Sequence, residues 1–340
     1  MMKVNNKLKL YGCCYSIKGA NRSVICDLQY GKMNFIPNDL HEFIELNQGK
    51  SLSDIYDFYN NEENETIDEY VNFLVENEYA FFTDNPDNFP ALLKKWYSPA
   101  KITNAIIDID SEIIYLDKEI ISQLEKLGVI AIQLRLNDSI SIDKLDKVLT
   151  LFMNSSIRSI ELVLKYVEEY HSDLPNLALR HLRISYIIIH SSPNNSHEEH
   201  SHIVCFYTKD DIKRNTSFGP RLITHLAVNK QLFMEAQFHN TYLNKKVYIN
   251  KNCEVSNAPG YPVLGNFNEK PLYDIVDSLL LNNLWDIKKD VIKICKDCEF
   301  RYFCVDSRIP KIDSLTKEYF HEESCEYNPF TSTWKHEQEN

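Results

Sequence analysis

Hydrophobic positions at the start of the chain predict three strands followed by three helices. Residues 8–17, 24–28 and 33–36 are strand-like, and a turn at residues 30–32 joins the last two stretches as a hairpin. Apolar residues then recur at helical spacing in three segments that begin near Pro37, Ser51 and Thr66, and residues 80–83 return to a strand. Residues 1–85 are therefore predicted to form a winged-helix-like module.

Strands and helices alternate in the middle of the chain, after a proline-marked connector at residues 86–99. Strands are predicted at residues 106–109, 113–115, 129–136, 157–166, 184–189 and 203–207, and helices at 118–127, 143–153 and 177–182. Repeated β-α-β order predicts an α/β fold with a mainly parallel sheet or part of a β/α barrel over residues 100–232. Residues 233–340 form a third, less regular and cysteine-bearing region.

Composition narrows the possible partners. The 340 residues are 44% hydrophobic and 25% charged, as in an ordinary globular protein of two or three domains. A net charge of −12 repels a phosphate backbone, so nucleic acid is not expected as a partner. No apolar run reaches the roughly 18–20 residues that a membrane helix needs, and the first residues do not form a signal peptide. A cytoplasmic protein with no membrane association is predicted.

The strongest chemical signal is a set of four cysteines near the C-terminus, spaced Cys295-x2-Cys298-x5-Cys304-x20-Cys325. In a reducing compartment, nine cysteines are expected to be thiols or metal ligands rather than disulfides. Two thiolates two residues apart can bind one metal centre from a single turn, with the other two arriving from nearby segments. Sulfur-only ligation suits zinc or an iron–sulfur cluster, and the spacing alone does not choose between them.

Residues 294–308, ICKDCEFRYFCVDSR, with CEYNP at residues 325–329, resemble a SPASM domain. More narrowly, they resemble the SPASM-domain peptide maturases of grasp-with-spasm systems, which make ribosomally synthesised, post-translationally modified peptides. SPASM domains commonly hold two auxiliary [4Fe–4S] clusters, and the positions that ligate one of them are all cysteine here. The positions for the other cluster are occupied by Ala258, Lys270 and Arg308, so the resemblance implies one cluster.

SPASM domains usually follow a radical SAM barrel whose first strand leads into a C-x3-C-x2-C motif. Here the strand at residues 106–109 leads into Asp110-Ser111-Glu112, and residues 101–208 contain only Cys205. The resemblance therefore implies a degenerate radical SAM-like barrel that does not cleave S-adenosylmethionine. Whether the chain is itself an enzyme stays open.

The predicted order of strands and helices in residues 1–85 is similar to that of PqqD-like peptide-recognition modules. Such modules bind a leader peptide as an added strand at a sheet edge, beside their third helix. The resemblance places the edge at residues 24–28 and supplies side chains from the third helix. The candidate peptide-binding residues are Val24, Ile25, Cys26, Asp27, Leu28, Tyr70, Phe73 and Leu74. The alternative is an ordinary winged helix with core aromatics.

Two smaller groups of residues also contain side chains that can bind metals. Cys13 and Cys14 are neighbours on a predicted strand, where successive side chains point to opposite faces, so they are not expected to share an ion. A polar loop at residues 191–201 is predicted to be solvated. Four histidines lie in or beside it: His190, His197, His200 and His202.

Together these features predict an accessory maturation protein that binds a precursor peptide and acts with an ATP-grasp ligase. One auxiliary [4Fe–4S] cluster would be its cofactor. Two alternatives stay open at this stage: a redox peptide-modifying enzyme that uses the cluster for electron transfer, and a zinc-stabilised adaptor.

Overall fold

The structure is a computed structural model that describes residues 6–109, 116–200, 202–211, 226–279 and 283–335. The predicted strand at residues 113–115 and the stretch at residues 110–112 lie outside this part. None of the helices described is long and apolar enough to cross a membrane. The chain divides into two compact units. The first takes its residues from Met1–Trp96, Gly219–Thr241 and Asp286–Asn340, and the second from Tyr97–Phe218 and Tyr242–Trp285.

The N-terminal part of the first unit has four strands, where three were predicted, followed by three helices and a final strand. Its elements are β1 Lys7–Leu10, β2 Cys14–Lys18, β3 Ser23–Asp27, β4 Lys32–Ile36, α1 Asn38–Asn47, α2 Leu52–Phe58, α3 Asn64–Glu76 and β5 Ala80–Thr83. Ser51 begins α2 with a capping box, since its side chain accepts from the Asp54 amide and the Asp54 carboxylate accepts from the Ser51 amide. β1 pairs antiparallel with β5, and β2, β3 and β4 form a separate three-stranded antiparallel sheet.

The three-stranded sheet corrects two sequence-based predictions. Residues 8–17 are two strands rather than one, because a turn at Gly12 and Cys13 separates β1 from β2. β3 pairs with β2 on one side and with β4 on the other, and each of its five residues is buried. The predicted edge at residues 24–28 is therefore the centre of the sheet, and its edges are β2 and β4.

The sheet separates two hydrophobic cores. Ile25 and Cys14 face a core formed with α1, α2 and α3, to which Leu40, Ile55 and Leu74 contribute. Val24 and Cys26, which alternate with Ile25 along β3, face a second core. That second core also contains Phe233 from α7 (Lys230–Ala236) and four C-terminal side chains, Phe300, Phe303, Tyr327 and Trp334. The C-terminal cysteine segment thus packs on the sheet of the N-terminal module.

The rest of the first unit is short and irregular. Beside several 3₁₀ turns, its C-terminal segment has two small hairpins, formed by β15 Lys311–Ile312 with β16 Tyr319–Phe320 and by β17 Tyr327–Asn328 with β18 Thr333–Trp334. Its rings pack closely: the Tyr327 ring lies 5.0 Å from that of Phe300 and 4.9 Å from that of Trp334.

The second unit is a mixed α/β structure around a large, mostly parallel sheet. Its strands are β6 Asn104–Ile109, β7 Ala131–Leu136, β8 Ser159–Lys165, β9 Ile184–His190, β10 Ser196–His200, β11 Ile203–Tyr207, β12 Lys246–Ile249, β13 Glu254–Ser256 and β14 Gly265–Asn266. Its helices are α4 Lys118–Leu127, α5 Ile142–Thr150, α6 Tyr170–Arg180 and α8 Leu272–Leu279. The predicted helix at residues 118–127 is confirmed, with Asp117 as its N-cap and Gly128 in the left-handed conformation at its end.

The strands follow the order β10-β11-β9-β8-β7-β6-β12-β13-β14. Neighbours from β11 to β12 are parallel, whereas β10, β13 and β14 are antiparallel to theirs. In the described part of the chain the sheet is open and does not close into a barrel. The prediction of a polar loop at residues 191–201 is partly wrong. Residues 196–200 form β10, a strand of polar residues at the edge of the sheet that pairs with β11.

Candidate metal centre

The four C-terminal cysteines come from three short segments of the first unit. Cys295 begins a 3₁₀ turn and Cys298 follows it directly, so a single turn of chain supplies two thiols. Ile294, just before this turn, has a φ of 71°, which reverses the chain into it. Cys304 follows the core residue Phe303, and its carbonyl accepts a hydrogen bond from the Thr241 hydroxyl at 2.9 Å. Cys325 precedes β17.

All four cysteines line one cavity of about 690 Å³. Lys289, Arg308 and His321 also line it. The four thiols that the spacing singled out therefore share the lining of one cavity.

A buried group of charges lies beside the thiols. The Lys289 ammonium is 2.7 Å from the Asp306 carboxylate, and the Arg308 guanidinium meets the same carboxylate at 2.6 and 2.9 Å. Arg308 also donates to the Glu323 carbonyl at 2.8 Å. Burial alone would raise the pKa of Asp306, yet Lys289 and Arg308 hold it well below its ordinary value. The group carries two positive charges and one negative charge, a surplus suited to nearby thiolates.

Burial governs the thiols themselves. It raises the pKa of Cys295, Cys298 and Cys304, while the charge of Lys289 lowers that of Cys295 and Cys304. Without a metal these thiols are protonated at neutral pH. Metal binding would release their protons, so retention of a metal should weaken in acid.

The residues fit a sulfur-ligated centre. Four thiols that line one cavity supply the donor type that a [4Fe–4S] cluster or a structural zinc ion uses. The surplus positive charge of Lys289 and Arg308 would offset the negative charge of such a centre. A second donor set overlaps this one, since ligand atoms of Cys295, Asp306 and His321 lie within 4.8 Å of one another. The ion pairs of Asp306 with Lys289 and Arg308 compete with metal binding by that carboxylate.

Polar contacts join the cysteine segment to the turn between β2 and β3. Arg22 donates to the fully buried Glu299 carboxylate at 2.9 Å, and Tyr327 makes a short hydrogen bond to the same oxygen. The Ala20 amide donates to the Asp297 carbonyl at 2.7 Å, and Arg301 donates to the Lys18 carbonyl at 2.6 Å. The 3₁₀ turn with Cys295 and Cys298 is therefore held against the N-terminal sheet.

The other predicted site residues are spread over the fold. Val24, Ile25, Cys26, Asp27 and Leu28 are buried, as is Leu74 on α3. Tyr70 and Phe73 on α3 are half-buried against the helical core. Of the positions that the resemblance assigns to a second cluster, Ala258 and Lys270 belong to the second unit, and only Arg308 lines the cavity.

Cys13 and Cys14 correct a further expectation. Their Sγ atoms lie 4.0 Å apart, and both are within 4.8 Å of an Asp27 carboxylate oxygen. The strand alternation that should separate them does not apply, because Cys13 belongs to the turn and β2 begins at Cys14. The hydrophobic pattern gave no sign of that turn.

The second unit holds a buried polar group that the sequence did not indicate. The carboxylate of Asp108 on β6 is 3.1 Å from the Arg135 guanidinium on β7 and accepts a hydrogen bond from Tyr248 on β12 at 2.6 Å. Each of the three is the penultimate residue of a parallel strand. They therefore lie at the carboxyl ends of those strands, the side on which open α/β sheets commonly place ligands.

Comparison with protein-family models finds no match, and neither does comparison with curated proteins. Among solved structures, the chain is similar to SuiB of Streptococcus suis bound to precursor peptide SuiA, with 9% sequence identity and a TM-score of 0.32. SuiB bound to S-adenosylmethionine matches with 10% identity and a TM-score of 0.29. Both matches cover 87% of this chain and 94% of the other. At these scores the likeness assigns no activity.

Proposed function

We propose that this chain is an accessory protein in the maturation of a ribosomally synthesised peptide. It holds the precursor on its N-terminal module, carries one [4Fe–4S] cluster on Cys295, Cys298, Cys304 and Cys325, and acts with an ATP-grasp ligase in the cytoplasm. The observation that carries the proposal is that the four SPASM-like cysteines line one cavity in the same compact unit as the three-stranded sheet. Together with the resemblance of residues 294–308 and 325–329, this favours a cluster over scattered core thiols.

The cluster assignment is tested by anaerobic reconstitution with iron and sulfide. We expect about four iron atoms per chain and a broad visible absorption that bleaches on reduction. Cys304→Ser should lose most of both, because it removes one of the four proposed sulfur ligands. The matched control is Cys205→Ser, which changes a buried thiol of the second unit and should leave the iron content unchanged. A colourless protein that retains one zinc per chain would instead favour the zinc-stabilised adaptor.

The position of the peptide follows from the corrected sheet. β3 is paired on both sides, so an added strand needs an outer strand, and β4 has a side-chain hydrogen bond to the end of the third helix. Lys32 at the start of β4 donates to the Asn77 carbonyl at the end of α3, at 2.9 Å. A leader that pairs with β4 would therefore pass close to α3, where Tyr70 and Phe73 are half-buried.

Hydrogen exchange with a synthetic leader tests this placement. The leader is taken from a short peptide encoded beside the gene. Amides of β4 should gain protection when it binds, whereas β3 should change little because its pairing is already complete. Tyr70→Ala should weaken binding, and Tyr56→Ala, a similarly placed ring on α2, should not. Unchanged exchange throughout β4 with a leader that binds would contradict strand addition there.

An accessory role also predicts that S-adenosylmethionine stays intact. Residues 101–208 hold a single cysteine, Cys205, whereas radical initiation in the resembling family uses three cysteines on one cluster. Anaerobic incubation of the reconstituted protein with S-adenosylmethionine and a strong reductant should yield no 5′-deoxyadenosine. Its formation would replace the accessory role with a catalytic one.

A further inference from the structure

A second group of thiols lies in the N-terminal module, apart from the four C-terminal cysteines. The Sγ atoms of Cys13 and Cys14 are 4.0 Å apart, and an Asp27 carboxylate oxygen lies within 4.8 Å of both. Two sulfurs on a tetrahedral zinc ion, each bonded at about 2.3 Å, are about 3.8 Å apart. The observed separation is close to that of a zinc-bound pair.

The backbone builds this arrangement. Cys14 on β2 and Asp27 on β3 are direct partners across the two strands, so their side chains share a face of the sheet. The turn before β2 brings Cys13 to the same place. Asp27 is 2% exposed, and its Oδ1 accepts the amides of Gln29 at 2.7 Å and of Tyr30 at 3.1 Å, which fixes the carboxylate. Cys26 faces the opposite core and donates to the Tyr15 carbonyl, so it is not part of the donor set.

Tyr79 supplies an independent observation. Its ring is fully buried, and its hydroxyl has no hydrogen-bond partner among the described residues. Burial raises its pKa to about 12. The Tyr79 carbonyl accepts a hydrogen bond from the Tyr11 amide at 3.0 Å, and Tyr79 and Cys14 belong to the same hydrophobic core. A buried donor without an acceptor costs about 1–3 kcal/mol. A ligand bound beside Cys14 would give this hydroxyl its acceptor.

We propose that Cys13, Cys14 and Asp27 bind a zinc-class divalent cation, whose fourth ligand accepts a hydrogen bond from Tyr79. Two thiolates with a carboxylate suit zinc, whereas copper(I) prefers sulfur-only donors. The site ties the start of β2 to the end of β3 and does not depend on the function proposed above. It places a second metal in the module that holds the precursor.

Metal uptake by the full chain tests the site. The cluster is first reconstituted so that the C-terminal cysteines are occupied, and zinc is then titrated against a chromophoric chelator. Wild-type protein should bind one zinc per chain more than Cys14→Ser. Cys13→Ser and Asp27→Asn should bind it at least ~100-fold more weakly, and Tyr79→Phe about tenfold more weakly, because loss of an outer partner already costs 10–100-fold. Cys205→Ser, a buried thiol of the second unit, should match the wild type.

Cobalt(II) in place of zinc gives a spectroscopic readout. Because the reconstituted cluster also absorbs visible light, the spectrum of Cys14→Ser is subtracted from that of the wild type. The difference should show the charge-transfer absorption of two thiolates and the intense visible bands of a tetrahedral site. A spectrum without thiolate bands, or equal zinc uptake by wild type and Cys14→Ser, overturns the proposal. If the C-terminal cysteines hold zinc instead of a cluster, every protein gains one further equivalent. The difference between wild type and Cys14→Ser stays at one, so failure of either proposal is seen separately.

Discussion

At the scale of single residues, two partners stabilise the buried carboxylate of Glu299. The carboxylate is fully buried and receives hydrogen bonds from Arg22 and Tyr327. Arg22 also lies over the Phe35 ring, 3.5 Å from its centroid, so one side chain neutralises a buried charge and covers a core aromatic. Glu299 directly follows Cys298, one of the proposed metal ligands, so this pair would help to hold the proposed site.

Arg22→Ala should therefore lower the free energy of unfolding by ~3 kcal/mol, the scale for leaving a buried charge without its partner. Urea denaturation would measure the change. Lys18→Ala is the control, because its ion pair with Glu42 is exposed on both sides and should contribute far less. Equal effects of the two substitutions would mean that Glu299 is satisfied without Arg22.

The residues of the site differ in how well sequence alone predicts them. Cys295, Cys298, Cys304 and Cys325 are recognisable because three of the four cysteines lie within ten residues of one another. Lys289 and Asp306 leave none, since their pairing depends on how two irregular segments pack. The prediction that Cys13 and Cys14 point to opposite faces was wrong because the alternation of side chains holds only inside a strand. The turn that separates β1 from β2 lacks a proline or an Asn-Gly pair that would have marked it.

At the scale of elements, the turn between β2 and β3 holds the N-terminal sheet and the cysteine segment together. Gly19 is buried in this turn, where a Cβ atom would lie 2.4 Å from the Arg22 carbonyl oxygen and 3.0 Å from Glu299. Both neighbours belong to the contact itself, so the added carbon can be accommodated only by shifting the turn or the segment that carries Cys298.

Gly19→Ala should accordingly destabilise the first unit by about 1–3 kcal/mol, the usual cost of overpacking a close contact. It should also loosen the metal-binding turn, seen as faster loss of iron to a chelator from reconstituted protein. Ala20→Ser, one position further along the same turn and exposed, should change neither quantity noticeably. If iron were lost at the wild-type rate although the protein is less stable, the turn between β2 and β3 would not contribute to iron retention.

Element type was predicted better than element position in the sheets. The periodicity that gives α4 and the alternation of strands and helices are local, so residues 118–127 are helical as expected. Strand order is not local: nothing in residues 23–27 says that both sides are paired. The polar strand β10 escaped prediction because its pairing with β11, rather than any apolar pattern, makes it a strand.

At the scale of the whole molecule, the first unit joins both ends of the chain around one core. Ile17, Val24 and Cys26 of the sheet share that core with Phe300, Phe303 and Trp334, and the half-buried Cys298, Cys304 and Cys325 pack against it. A metal centre in the cysteine segment would therefore stabilise more than its own loops.

Removing the proposed metal centre should destabilise the N-terminal module. In Cys304→Ser protein, amides of β2 and β3 should exchange faster than in reconstituted wild type, since the cover of one sheet face is no longer anchored. The parallel strands β7 and β8 of the second unit serve as the internal reference and should keep their protection. Faster exchange confined to residues 295–335 would show that the module is stable without its cover.

Because the first unit is assembled from distant stretches of chain, its parts are synthesised at different times. The ribosome delivers β2 and β3 about 200–300 residues before the aromatic side chains that cover them, an interval of roughly 10–60 s at ordinary synthesis rates. During that interval one face of the nascent sheet, with Ile17, Val24 and Cys26, lacks the side chains that later cover it. The early strands are then accessible on a face that the finished protein buries.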